Sequence, residues 1–160
     1  MRESGHWKGE DLASQMKHRV TVLVGIGALV AATAMAMFVN VEFFGGVDIA
    51  AFSTYSWAEG TPPANFDVKQ AIQKTTDEEL AAKGYKKVEG AADFTMAIHT
   101  DRDEMFQGGT LRVEAYEGSS EELVWRGKAE GVLTTTNPNK LPGLARQATK
   151  KMFKKFPKAR

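Results

Sequence analysis

His99, Asp101 and Asp103 alternate along the stretch HTDRDE. In an extended chain successive side chains point to opposite faces, so these three share one face. An imidazole beside two carboxylates is a donor set that could hold a divalent ion. Oxygen-rich ligands suit Ca²⁺ or Mg²⁺ better than Zn²⁺, which favours more His or Cys. One reading is therefore a metal-dependent hydrolase or metal-binding protein centred on His99, Asp101 and Asp103. The plainer and preferred reading is a strand leaving its sheet into a polar loop, with its charges facing water. His99 is the only histidine after His18, so any histidine-dependent hydrolysis must use it.

Other chemistries find less support. A glycosidase needs two acids flanking one bond, and nothing selects a pair from the seventeen acids between Met37 and Arg160. Ser53, Ser56, Ser119 and Ser120 are present, but none sits in a Gly-x-Ser-x-Gly elbow. The chain has no cysteine, which removes disulfides, thiol nucleophiles, thiolate metal sites and a lipidated amino-terminal Cys. Gly25-Ile26-Gly27 fails as a dinucleotide fingerprint, because no strand precedes it and no third glycine follows. No catalytic residue and no cofactor is expected.

The second cluster is basic. RQATKKMFKKFPKAR holds Arg146, Lys150, Lys151, Lys154, Lys155, Lys158 and Arg160 and no acid. With Met152, Phe153 and Phe156 it makes a basic amphipathic helix, in which Lys150, Lys151, Lys154 and Lys155 could contact anionic lipid or a partner. The preferred alternative is a core-packing helix whose lysines are solvated, as cations near a helix C-terminus are. Over the whole chain 21 basic residues balance 20 acidic ones. No global field draws the molecule to nucleic acid, and none is expected as a partner.

The positioning elements follow from periodicity. FVNVEFF alternates apolar and polar residues as a half-buried strand does. Ser53 to Trp57 is a second strand, after the Gly45-Gly46 turn. Asp67, or Asn65 before it, caps a helix through VKQAIQKTTDEELAAKG, where Val68, Ile72, Thr76 and Leu80 form one stripe and Gly84 ends the run. Four further strand candidates follow: YKKVEG, DFTMAIHT, TLRVEAYEG and ELVWRGKAEGVLTT. In TLRVEAYEG, Leu111, Val113 and Ala115 face one way while Arg112, Glu114 and Tyr116 face the other. Gly127, costly within a strand, marks a bulge or a close backbone approach. NPNKLPG breaks the chain before a last helix, Leu144 to Phe156. Trp57, Trp125, Tyr55 and Phe94 read as core aromatics rather than a stacking platform. The expected fold class is α+β, a mainly antiparallel sheet with two helices packed on one face.

Ahead of this lies VTVLVGIGALVAATAMAMFV, Val20 to Val39, twenty uncharged residues after Lys17-His18-Arg19. It is long enough to span a bilayer core. Ala34-Met35-Ala36 offers a small-residue cleavage site, so 1–36 is expected to be a leader cut after Ala36, with 1–15 upstream of a true start at Met16. The alternative is a retained anchor, with the basic flank in the cytoplasm and a single-pass inner-membrane product. Either way residues 37–160, a single domain, leave the cytoplasm, and the periplasm is the expected location.

The exported part resembles domain of unknown function 4136, a family of bacterial envelope proteins, many of them lipoproteins. VDIAAFSTYSW, AAKGYKKVEGAADFTMAIHT, ELVWRGKAEG and LARQATKKMFKKFP carry the resemblance, in order, from about Val39 to Pro157. The resemblance implies an envelope-held α+β domain with no established enzymatic activity. This chain departs from the lipoprotein members by lacking the Cys after the leader, so lipid anchoring is not implied. The expected role is an exported accessory or binding domain, non-catalytic, meeting an unknown envelope protein or lipid.

Overall fold

The computed structural model describes residues 37–103, 108–132, 135 and 137–160. The leader, the cleavage point after Ala36 and the start at Met16 lie outside the described residues. Among the described residues no helix is long and apolar enough to cross a membrane.

Among the described residues there are six strands and two α-helices: β1 (Phe38–Phe43), β2 (Thr54–Trp57), α1 (Phe66–Ala82), β3 (Lys86–Lys87), β4 (Phe94–Asp103), β5 (Gly108–Glu117), β6 (Leu123–Glu130) and α2 (Leu141–Phe153). The strands make one sheet in the order β1-β6-β5-β4-β2-β3. Neighbours β1, β6, β5 and β4 are antiparallel, while β2 runs parallel to both β4 and β3. The sheet is therefore mixed, which corrects the expectation of a mainly antiparallel one. The cause is α1: a helical crossover returns the chain to the end at which β2 began, so strands entered after it run in the same direction as β2.

Alternation sorts the sheet into two faces. Tyr55, Phe94, Met96, Ile98, Leu111, Val113, Ala115, Trp125 and Ala129 are buried on one face in a single cluster with Val68, Ile72 and Leu80 of α1 and Ala145, Ala148, Met152 and Phe153 of α2. Both helices thus cover the same side of the α+β domain. Asn65, the earlier of the two expected caps, accepts a hydrogen bond from the Val68 amide at 3.1 Å and starts α1, which puts Asp67 in the first turn. Helix α2 begins three residues earlier than its periodicity suggests, because Pro142 is tolerated in the first turn, where no amide donor is needed. It also ends earlier, and Phe156 reaches the core from the turn beyond it.

Gly127 is a close-approach glycine and not a bulge. It pairs in register with Val113 and Val41, and a Cβ there would lie 2.8 Å from both Met152 Cβ and the Trp125 ring. The bulge falls instead between Ala115 and Tyr116. The tail closes the helix layer: the Ala159 amide donates to Lys83 O, the Arg160 amide donates to Ala50 O, and the Arg160 guanidinium pairs with Asp48.

Candidate functional site

The other face of the sheet carries no helix among the described residues. Its centre is built from alternate residues of three strands: His99 and Asp101 on β4, Arg112, Glu114 and Tyr116 on β5, and Arg126 and Lys128 on β6. Register brings them together, since His99 lies opposite Arg112 and Glu114 opposite Arg126.

Glu114 is the hub, 3% exposed on a face that is otherwise half open. Its Oε1 accepts from Arg126 Nε at 2.6 Å and lies 4.0 Å from Arg112 Nη1. Its Oε2 accepts from the Tyr116 hydroxyl and lies 3.4 Å from His99 Nε2. Burial alone would raise the Glu114 pKa, but the Tyr116 hydroxyl, the Arg126 guanidinium and His99 together hold it below the ordinary 4.5. Burial, then the hydrogen bond to Glu114, pushes the Tyr116 phenol up to about 12.

A loop crossing from β2 sets the imidazole. The Thr61 amide approaches His99 Nδ1 at 3.3 Å and the Thr61 hydroxyl does so at 3.1 Å, while Thr61 O accepts from the Thr100 amide at 2.8 Å. A backbone amide can only donate, so Thr61 fixes the ring through Nδ1 and leaves Nε2 facing Glu114. Gly60 permits this crossing, because a Cβ there would strike the Ile98 carbonyl.

The ions at the rim are also paired. Arg112 Nη2 donates to Asp101 at 2.8 Å, Lys128 pairs with Glu130 at 2.6 Å, and Arg126 lies 3.9 Å from Glu42. Arg126 also sits over the Phe44 ring, 5.4 Å from its centroid. Phe38, 69% exposed, occupies the outer strand of the same face by alternation.

Of the three residues singled out by spacing, His99 and Asp101 do share this face, and strand β4 runs on through Asp103 instead of leaving the sheet at His99. The side chain of Asp103 lies outside the described residues. Asp101 is engaged by Arg112 and His99 by Thr61 and Glu114, and among the described residues no three His, Asp or Glu groups are placed to hold a metal ion. The partners that matter most, Glu114 and Arg126, were not singled out by spacing. The outward alternation of Glu114 is visible in TLRVEAYEG, but its meeting with His99 and Arg126 from two other strands needs the register.

Two carboxylates elsewhere are architectural. Asp93 accepts from the Ser53 and Thr54 amides and the Thr54 hydroxyl, each at 2.9 Å; those bonds lower its pKa. Asp77 on α1 accepts from Tyr55 and Trp57 and pairs with Lys87. Tyr55, Phe94 and Trp125 are core aromatics, as read from the sequence, whereas Trp57 is half-buried and walls a cleft of about 380 Å³ with Glu59, Pro62, Lys69 and Gln73. On α2 and the turn after it, Met152, Phe153 and Phe156 are buried in the core, and Lys150, Lys151, Lys154 and Lys155 are exposed.

No curated protein sequence matches the chain. Among solved structures the fold is similar to a PelC dodecamer from Paraburkholderia phytofirmans, with 11% identity and a TM-score of 0.54, covering 78% of this chain and 100% of that one. It is also similar to a PDZ domain protein from Parabacteroides distasonis, with 14% identity and a TM-score of 0.59, over 78% of this chain and 37% of that one. Both likenesses are of fold. At the level of sequence, residues 39–158 match the domain of unknown function DUF4136, and the chain belongs to that family.

Proposed function

We propose that the chain is a non-catalytic binding module of the bacterial cell envelope, meeting a protein partner through the helix-free face of its sheet. The observation that carries this reading is the buried Glu114 hub, whose neighbours hold a fixed pattern of charge across three strands. Cross-paired charges on a sheet are a poor source of a free acid or base and a good source of a rigid, specific surface. Exposed Phe38 and half-buried Phe44 add aromatic anchors at its edge, the residue type enriched where proteins meet. The PelC neighbour is a dodecamer, which supports an assembly role for this architecture. The uncharged run Val20–Val39 supports export.

The test is a photo-crosslinking side chain placed at Asn40 or Lys128 in the full chain, in cells, with Gln147 on the opposite side as control. Adducts from the sheet positions alone, lost in Arg126→Glu, are expected. Equal or absent adducts at all three positions would remove the reading. A metal-dependent hydrolase at His99, Asp101 and Asp103 is the competing account. A rise in melting midpoint with Ca²⁺ or Zn²⁺ that disappears in His99→Ala would restore it.

A further inference from the structure

Charge is distributed unevenly along the domain. Residues 140–160 hold eight cations and no acid, whereas 37–139 hold nine cations and seventeen acids. Arg160 is paired with Asp48, but among the described residues Arg146, Lys150, Lys151, Lys154, Lys155 and Lys158 form no ion pair and are all exposed. At about 100° per residue, Arg146, Lys150, Lys151 and Lys154 fall within an arc of about 140°. The buried residues Ala145, Ala148, Thr149, Met152 and Phe153 occupy the opposite arc. The uncompensated stripe therefore points straight away from the sheet.

We propose that this outward stripe of α2 and the turn after it docks the domain on an anionic lipid surface, by electrostatics alone and without insertion. The complementarity is that of several unpaired ammonium groups with a plane of phosphates, and lysine suits it as a hydrated point charge. Insertion is ruled out by packing. Met152, Phe153 and Phe156, which would form the lipid-facing half of an amphipathic anchor, are 2% exposed or less, and both phenylalanines pack against Trp125. A domain seated this way turns its Glu114 face away from the bilayer, toward a partner. The envelope reading supplies only the physiological setting, and lipid docking is measured without it.

The experiment uses the full chain with vesicles of phosphatidylcholine alone or with about a third phosphatidylglycerol, at salt from about 50 to about 500 mM, across which the screening length falls severalfold. Any binding through the apolar run Val20–Val39 appears with both lipids, so the readout is the excess on anionic vesicles. That excess should vanish at high salt. It should fall roughly fivefold for each lysine replaced in Lys150→Gln, Lys151→Gln, Lys154→Gln and Lys155→Gln, with the melting midpoint unchanged. A fluorophore at Gln147 should be quenched by headgroup-labelled lipid and one at Asn40 should not. No anionic excess, an excess indifferent to salt or to the four substitutions, or equal quenching at both positions would overturn the proposal. None of these outcomes bears on crosslinks at the sheet face.

Discussion

Glu114 illustrates how one residue can be ordinary in the sequence and central in the fold. Its carboxylate is desolvated, which alone would raise its pKa, yet the pKa is lowered because the Tyr116 hydroxyl, the Arg126 guanidinium and His99 face it. A depressed carboxylate stabilises the fold above its unfolded value, and that contribution is lost as pH falls through the lower folded value. Glu114→Gln should thus destabilise by about 2 kcal/mol near neutrality, by leaving Arg126 and Arg112 without their shared counter-charge. The deficit should shrink as the pH is taken below 4.5, the ordinary value for this group. Denaturant unfolding of both proteins at several pH values checks it, and a pH-independent difference would contradict it. Asp93 should behave alike in sign but more weakly, because its carboxylate lies close to solvent.

Among elements, those with local signals were readable. Asn65 caps α1 as its position indicates, and Asn65→Ala should cost about 1 kcal/mol in thermal unfolding. The alternation of β5 and the apolar stripe of α1 place the buried residues correctly, since each depends only on the periodicity of its own backbone. Strand direction is different. Whether β4 runs with or against β2 depends on where α1 delivers the chain, and pattern within either strand says nothing of that. Gly127 combines both kinds of information. Its presence in a strand signals an unusual site, but only packing identifies α2 as the close neighbour. Gly127→Ala should destabilise by about 1–3 kcal/mol through the clash with Met152, and a pairing of Gly127→Ala with Met152→Ala should recover part of the loss in a double-mutant cycle.

For the whole molecule, the expected N-terminal residue of protein recovered from cells is Met37, read by terminal sequencing; a product beginning at Met16 and remaining in the membrane fraction would mean a retained anchor. The α+β class and the two opposite characters of the sheet faces rest on features that neighbours in the chain create: periods of two and of nearly four, caps and turn glycines. The mixed sheet and the Glu114 hub rest on residues far apart in the chain, such as Thr61 with His99 and Glu114 with Arg126. Their meeting is decided by strand order and register, which emerge when the core packs Trp125 against Phe153 and Phe156 and no single segment specifies them. The basic helix belongs to both levels, its charge written locally and its direction set by which side the core buried.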